Sequence, residues 1–352
     1  MHRFHRLNCR FFSTTHRSQH SDLVGATAHM LKQAVLPLVT SKGTASPLTL
    51  RVLDAGAGGH SMPLLSTVLT QCEQLVPWET RREYLALHAS SSRADVSALV
   101  DALASDHSYV PSHANAFAGV LHNSNFQQLV PHNSVDLCVS YAALQWLSML
   151  PSSVPGPMLT PDNVSGDVTW QAAATADLTA FLTLRAAEVV DDGVLSMTLM
   201  ADVGASTMGL MVSAVESALT DLVALDLLSP TSLDAIAIGW YLRSMDDVAT
   251  AASVVVDKWD RIELRAISLP MQTPNATAMA MSILSLLGPA LASGLTELER
   301  SNPALESALI ERLTARFTEP VCVRDKTAPL YDVMTIDYIY AAFARRHRAL
   351  SI

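Results

Sequence analysis

Residues 48–60, LTLRVLDAGAGGH, are the stretch that decides the fold of this chain. The first six of them form a short, mostly apolar run, which is typical of a strand buried on both faces. The run leads into Asp54 and the glycines Gly56 and Gly58, and a helix is predicted to follow at Met62–Leu75. This order predicts the first βα unit of a nucleotide-binding sheet, because glycine lets the backbone approach a ligand and the helix N-terminus offers unpaired N–H groups.

The position of the acid in this turn indicates the kind of ligand. Dinucleotide-binding proteins have a third glycine in the turn and an acid about 20 residues further along the chain. Here Asp54 precedes the glycines, where a carboxylate can bind an ammonium group such as the methionine amine of S-adenosylmethionine. His60 and Ser61 stand where the third small residue would be. The turn therefore favours S-adenosylmethionine, with an ordinary glycine-rich turn as the alternative.

Strand and helix patterns alternate along the rest of the chain and predict the fold class. Strands are predicted at 83–88, 134–141 and 194–200, and helices at 23–39, 93–104 and 177–190. Such alternation is typical of a parallel, doubly wound α/β sheet. Residues 151–166 contain four prolines and form a long irregular insertion, and the pattern is helical and alanine-rich from 201 to 266. We therefore predict a Rossmann-like sheet with an α-helical cap at about 151–176 and 201–300.

A basic leader precedes this fold. Residues 1–21 hold four arginines, several hydroxyl residues and no acid, a composition typical of a mitochondrial transit peptide, with a disordered basic tail as the alternative. We therefore predict a leader at 1–21, a single domain at 22–352 and a mitochondrial location, with the cytoplasm as the alternative. Subtracting the leader's +4 from the formal charge of −10 leaves −14 for the domain. An acidic domain repels phosphate backbones, so nucleic acid is not predicted as a partner.

A charge-free stretch near the C-terminus raises the question of a membrane span. Three prolines and several polar residues interrupt the sequence between Arg265 and Glu297. Ala276–Leu295 has the necessary length of about 20 residues but is rich in alanine and serine. We predict a buried helix there and no stable membrane insertion. The four cysteines are far apart and form no CxxC pair, so neither a zinc cluster nor a disulfide framework is predicted.

Several sequence blocks resemble one enzyme family and occur in its order. Asp54–His60 resembles the DLGCSSG turn of the plant salicylate, benzoate and jasmonate carboxyl methyltransferases, the SABATH family. Pro131–Pro151 (PHNSVDLCVSYAALQWLSMLP) is similar to the family's block ending in S-S-Y-S-L-H-W-L-S-x-x-P, and Phe181–Gly193 (FLTLRAAEVVDDG) to its FLRxRAxELVPGG. Val110–Leu121 (VPSHANAFAGVL) resembles VPGSFYGRLF. Ile236–Val248 shares only the spacing of FNIPxYxPSxEEV.

The resemblance implies a class I methyltransferase fold and an activity. The implied reaction moves a methyl group from the cofactor S-adenosyl-L-methionine to a small carboxylic acid and gives a methyl ester. A carboxylate is already nucleophilic, so no general base is required and no catalytic residue is assigned. Catalysis would depend on holding the oxygen in line with the methyl group and excluding water. The family also suggests a homodimer.

The resemblance assigns cofactor contacts residue by residue. The cofactor-binding positions are Asp54, Gly56, Gly58, His88, Phe117 and Ser140. Asp54 matches the acid that binds the methionine amine, and Phe117 matches a phenylalanine beside the adenine, although the neighbouring serine is Ala116 here. The acid that binds the ribose is replaced by Leu87. We predict that His88 substitutes for it.

The resemblance also assigns substrate contacts to His29, Gln145 and Trp146. Trp146 matches a tryptophan whose indole N–H meets the substrate carboxylate, and His29 matches the glutamine of an early NSxxQ motif. Without the resemblance, Trp146 and Gln145 are equally well explained as core residues, and His29 as a surface residue. Some relatives hold magnesium at a position matching Asp234, but their asparagine partner is Ala237 here, so no metal is predicted.

Two other functions remain open on these residues. The lost cofactor contacts at Leu87 and Ala116 favour a catalytically silent assembly or scaffold protein with a methyltransferase fold. The D-L-x-x-S-x-x-A-L-Q-W pattern also occurs in methyltransferases that act on acids bound to carrier proteins, although those enzymes generally lack a long helical segment after the final strand.

Overall fold

A central sheet runs through the molecule between two layers of helices. The computed structural model describes residues 15–42, 48–56, 61–76, 82–90, 93–113, 115–151, 168–203 and 207–347. The strands are β1 (Leu48–Ala55), β2 (Arg82–Ser90), β3 (Ala116–His122), β4 (Val135–Tyr141), β5 (Val189–Ala201), β6 (Trp259–Pro270), β7 (Pro320–Val323), β8 (Lys326–Pro329) and β9 (Thr335–Arg345). The helices are α1 (Thr15–Lys42), α2 (Met62–Leu75), α3 (Arg93–Leu103), α4 (Val168–Glu188), α5 (Met208–Ala224), α6 (Pro230–Ala235), α7 (Met245–Val254), α8 (Ala276–Gly294), α9 (Glu297–Ser301), α10 (Pro303–Thr318) and α11 (Leu330–Val333).

The order of the strands places the site. Within the described ranges, seven strands form one sheet in the order β3-β2-β1-β4-β5-β9-β6. β9 is antiparallel to both of its neighbours, and the other neighbouring strands are parallel. The order reverses at β1, which pairs with β2 on one side and with β4 on the other. Open α/β sheets bind ligands at this point, beyond the carboxyl ends of the strands.

The apolar runs of the sequence form the centre of the sheet. Every residue of β4 is buried, as expected for a strand covered on both faces. One buried cluster joins α1 and α2 to one face, and a second joins α4 and α7 to the other. The predicted α/β class and the helix at Met62–Leu75 are confirmed.

Strands β3 and β6 lie in segments that the sequence assigns differently. β3 falls in a segment with no predicted strand, and β6 falls in the region predicted to be helical up to residue 266. The helical prediction is wrong there because β6 is an edge strand, and its charged, exposed residues obscure the apolar alternation of a strand. β6 is nevertheless anchored in the core, since the Trp259 indole N–H donates to the Leu182 carbonyl at 2.9 Å.

The cap consists of α5, α6, α8 and α10, which pack against one another. The predicted helix at Ala276–Leu295 is α8, which ends one residue earlier. By length and composition α8 could cross a membrane, but half of its apolar window is buried inside the fold, as in the core helix of a globular protein. α4 packs on β5 and α7 and so belongs to the sheet layers. Residues 152–167 of the predicted cap lie outside the described residues.

Helix α1 is longer than predicted at both ends. It begins at Thr15 and continues past Pro37 to Lys42. The buried face of α1 extends back to His20, whose ring lies 6.5 Å from the ring of Tyr141 in β4. Residues 15–21, predicted as part of the leader, are therefore helical, and residues 1–14 lie outside the described residues.

Candidate functional site

The candidate site lies at the carboxyl ends of β1, β2 and β4. Asp54 is the seventh residue of β1 and is aligned with His88 in β2 and with Val139 in β4. Beside it, the buried Ser140 hydroxyl donates a hydrogen bond of 2.8 Å to the carbonyl oxygen of Ala55. Ser140 therefore fixes the backbone where β1 leaves the sheet, next to the predicted cofactor turn.

Gly56 has a conformation and surroundings that only glycine tolerates. Its φ of +115° lies in the region that side chains disfavour. A Cβ atom at this position would lie 2.2 Å from Nδ2 of Asn125 and 3.0 Å from Cβ of Ala143. The missing side chain at Gly56 therefore leaves the space beside the turn to the Asn125 amide. Gly58 lies outside the described residues.

Asp54 combines complete burial with an unused oxygen. Its Oδ2 accepts a hydrogen bond of 2.8 Å from Nδ1 of His88. Its Oδ1 is buried and has no hydrogen-bond partner among the described residues. A buried carboxylate oxygen without a partner is costly. A bound cationic donor such as an ammonium group would satisfy it, and the site therefore fits the amino end of S-adenosylmethionine.

His88 does not have the role that the sequence predicts for it. Its Nδ1 bonds to Asp54 and its Nε2 lies 2.8 Å from the Tyr109 hydroxyl, so both ring nitrogens are engaged. The side chain is also fully buried. It therefore has no nitrogen left for a ribose hydroxyl, and direct cofactor contact by His88 is corrected. Leu87 packs against the buried cluster on the α4 side and offers no substitute for the missing acid.

Phe117 lies at the wrong end of its strand for an adenine contact. It is the second residue of β3, is 58 % exposed, and is aligned with Leu85 rather than with the carboxyl end of β2. Its assignment is corrected for this reason. The error came from aligning the family's VPGSFYGRLF with residues 110–121. The segment that follows the carboxyl end of β3 is Asn123-Ser124-Asn125-Phe126, which contains a similar polar-then-phenylalanine pattern.

Asn125 brings this segment to the glycine turn. Its amide group faces Gly56, and its buried Oδ1 lacks a partner within the described ranges. Asn125 was missed because the family blocks end before it. A strand that ends in consecutive turn-forming residues, Asn-Ser-Asn, is the signal that could have identified it.

The FLxxRAxE block holds this loop in place. Arg185 and Glu188 of α4 are fully buried and form an ion pair of 2.7 Å. Arg185 donates to the carbonyl oxygens of Asn125 and Gln127, while Glu188 accepts from the backbone of Leu129 at 2.5 Å. The most specific block of the sequence therefore supports the loop beside the cofactor turn.

The predicted substrate residues Gln145 and Trp146 lie just beyond β4. Gln145 is buried, and its Nε2 donates to the carbonyl oxygen of Ala142 at 2.9 Å, whereas its Oε1 has no partner among the residues described. Trp146 is half-buried and stacks on Trp240, with 6.0 Å between the ring centroids. The two tryptophans also face each other in an antiparallel bridge. Trp240 joins the site although the sequence did not identify it.

Arg243 ties this segment to α4. Its guanidinium is buried and donates to the carbonyl oxygens of Leu144 and, at 3.1 Å, of Ala174. Burial lowers the pKa of Arg243 to about 10. The segment that carries Trp240 is thereby fixed against the one that carries Trp146.

His29 lies away from this arrangement. It is exposed on α1, on the side opposite the apolar stripe, so its assignment to the substrate is corrected. The α1 histidine that approaches β4 is His20. The spacing of His20, Leu23, Val24 and Thr27 continues the buried stripe, and this periodicity could have identified His20.

Comparisons with known proteins identify a family by sequence and a common fold by structure. A sequence model of a family described as SAM dependent carboxyl methyltransferase matches residues 13–269. A solved structure of loganic acid methyltransferase with SAH has a TM-score of 0.76 to this chain over 96% of each chain, at 18% identity, which shows a common fold.

Two curated relatives match a shorter part of the chain. Methyltransferase LUC1 of Fusarium sp and Methyltransferase FUS9 of Gibberella moniliformis are each 30% identical over 145 residues, which is 41% of this chain. The match covers 38% and 39% of their lengths, so the chain spans about two fifths of the curated relatives it matches.

Proposed function

Because the chain belongs to the SAM-dependent carboxyl methyltransferase family, whose cofactor is S-adenosyl-L-methionine, we propose that it methylates the carboxylate of a small organic acid. The products are the methyl ester and S-adenosylhomocysteine. The observation that carries this proposal is the buried Oδ1 of Asp54, which has no hydrogen-bond partner among the described residues and lies beside the glycine turn at Gly56. Both lie at the reversal point of the sheet, where ligands of this fold bind.

Three residues are proposed to hold the cofactor. Asp54 Oδ1 would accept from the ammonium group, and Gly56 would let the backbone approach. Asn125 Oδ1 would accept from a donor on the nucleoside. When bound, S-adenosylmethionine supplies a methyl group on a positively charged sulfur, which a carboxylate oxygen can take without a general base.

On the acid's side, the chain would bind and orient the carboxylate. Trp146 is half-buried and stacks on the buried Trp240, which supports its ring. An indole N–H is a donor without acceptor capacity, so Trp146 would hold one carboxylate oxygen and leave the other to react. Arg243 and the bridge between Trp146 and Trp240 would hold the Trp146 ring in place. Holding the acid in this orientation would be the main source of catalysis.

Two observations, Leu87 and Ala116, favoured a silent scaffold, and the second no longer supports it. Ala116 lies at the amino end of β3 with Phe117, so it does not mark a lost cofactor contact. Leu87 remains as a departure. The alternative of a carrier-protein methyltransferase is not favoured, because helices α5–α7 before β6 and α8–α10 after it follow β5, where such enzymes generally lack a long helical segment.

The test is an assay with methyl-labelled S-adenosylmethionine and a panel of small carboxylic acids. We expect label in a methyl ester, which mild alkaline hydrolysis releases as methanol. Label that appears only on nitrogen, on carbon or on an acyl-carrier thioester would contradict the proposal. Folded protein that transfers no label to any acid, while binding S-adenosylhomocysteine, would favour the scaffold.

A further inference from the structure

A buried chain of three polar side chains crosses the site. Asp54 in β1, His88 in β2 and Tyr109 in the segment after α3 are each at most 1% exposed. The Asp54 Oδ2 to His88 Nδ1 distance and the His88 Nε2 to Tyr109 hydroxyl distance are both 2.8 Å. The reaction proposed above uses Asp54 and leaves the other two residues without a role.

The strand register creates this chain. Asp54 and His88 are direct partners in the parallel pairing of β1 and β2, so their side chains project on the same face of the sheet. The Tyr109 ring packs near the imidazole, with 5.8 Å between the ring centroids. The contact between Asp54 and His88 therefore depends on the pairing of two strands, and Tyr109 joins it from the segment after α3.

The chemistry of Asp54 and His88 sets the direction of the hydrogen bond between them. An ionised carboxylate only accepts, so Nδ1 of His88 carries the proton and donates to Asp54. Nε2 lies 2.8 Å from the Tyr109 hydroxyl, which holds the other side of the ring. Burial, and then the charge of Asp54, raise the pKa of Tyr109 above its ordinary value, so the phenol keeps its proton.

This arrangement leaves Asp54 one oxygen for a ligand. Oδ2 is held by His88, and Oδ1 is the oxygen without a partner among the described residues. We propose that His88, oriented by Tyr109, is a positioning residue that presents Asp54 Oδ1 to the ammonium group of the cofactor. The inference rests on the proposed function, since it requires that Asp54 binds this group.

The experiment measures binding of two ligands by calorimetry on the full chain. S-adenosylhomocysteine carries the ammonium group, and 5′-methylthioadenosine has the same nucleoside and sulfur without the amino acid. In His88→Leu we expect about 10- to 100-fold weaker binding of S-adenosylhomocysteine and unchanged binding of methylthioadenosine. His88→Asn should restore the first affinity, because the asparagine amide can donate from nearly the position of Nδ1.

A second histidine–carboxylate pair, His113 with the partly exposed Glu73, provides the control. His113 bonds to Glu73 at 3.0 Å and makes no contact with Asp54. His113→Leu should leave the ratio of the two affinities at its wild-type value. If His88→Leu does not fold, Tyr109→Phe provides the test, because an unsupported ring should reduce the affinity for S-adenosylhomocysteine selectively.

Two results would overturn the inference. One is wild-type binding of both ligands by the His88 and Tyr109 variants. The other is an equal loss of affinity for both ligands, which would indicate a purely structural role for His88 and Tyr109. If the wild-type protein itself does not bind S-adenosylhomocysteine, the failure lies with the proposed function instead.

Discussion

Gly56 is the residue whose conformation constrains the site most strongly. In Gly56→Ala the new Cβ would have to displace the Asn125 amide while the backbone keeps a positive φ. We expect a loss of stability of about 1–3 kcal/mol and at least about tenfold weaker binding of S-adenosylhomocysteine. Chemical denaturation and calorimetry measure the two effects.

Gly25 offers a control for this substitution. It lies in the first half of α1 and is exposed, and a Cβ atom added there would have no neighbouring atom within 4 Å. Gly25→Ala should therefore stabilise the protein by about 0.5–1 kcal/mol without changing ligand binding. Wild-type binding by Gly56→Ala would contradict the role of this turn.

Among the secondary-structure elements, β4 is joined to α1 and β1 through a single buried side chain. Asp136 in β4 accepts from Lys42 at the end of α1 at 2.6 Å, and from the backbone and side chain of Arg51 in β1. Burial raises the pKa of Asp136, but the hydrogen bonds from Arg51 and Lys42 outweigh burial and hold the pKa below its ordinary value. Three elements around the site therefore share one carboxylate.

The pH dependence of stability tests this junction. A carboxyl whose folded pKa is lowered stabilises the fold above its unfolded pKa of about 3.9, and this stabilisation is lost as the pH falls through the folded pKa. Asp136→Asn should cost about 1–3 kcal/mol at pH 7, and the difference from wild type should narrow below about pH 4. Urea denaturation across this pH range measures the difference in the free energy of unfolding. Asp22→Asn, at an exposed position of α1, is the control. A difference that stays constant down to pH 3 would show that the charge of Asp136 is not the cause.

The elements also show why some sequence predictions succeeded and others did not. β1, β4 and α2 were predicted because burial on both faces, or a clear apolar stripe, leaves a direct pattern in the sequence. β6 was not predicted, because an edge strand exposes charged residues and these obscure the apolar pattern. Phe117 was assigned to the site from the family block, and because β3 was not predicted, nothing showed that Phe117 lies at the amino end of its strand.

For the whole molecule, local sequence predicted the fold and only part of the site. Asp54 and Gly56 follow one another in a turn, so their proximity is contained in the sequence. The contacts of Asp54 with His88 and of Gly56 with Asn125 join different strands and loops. They depend on strand register, which no local pattern specifies, and for this reason Tyr109, Asn125 and Trp240 emerged only from the structure.

The central claim is that the molecule binds its cofactor through Asp54 at the reversal point of the sheet. The most direct measurement is calorimetric titration of S-adenosylhomocysteine into the wild-type protein and into Asp54→Asn. We expect saturable binding at one site per chain in the wild type, and at least about tenfold weaker binding in Asp54→Asn because the charge that pairs with the ammonium group is lost. Absence of binding by the folded wild-type protein, or equal affinity in both proteins, would contradict the account.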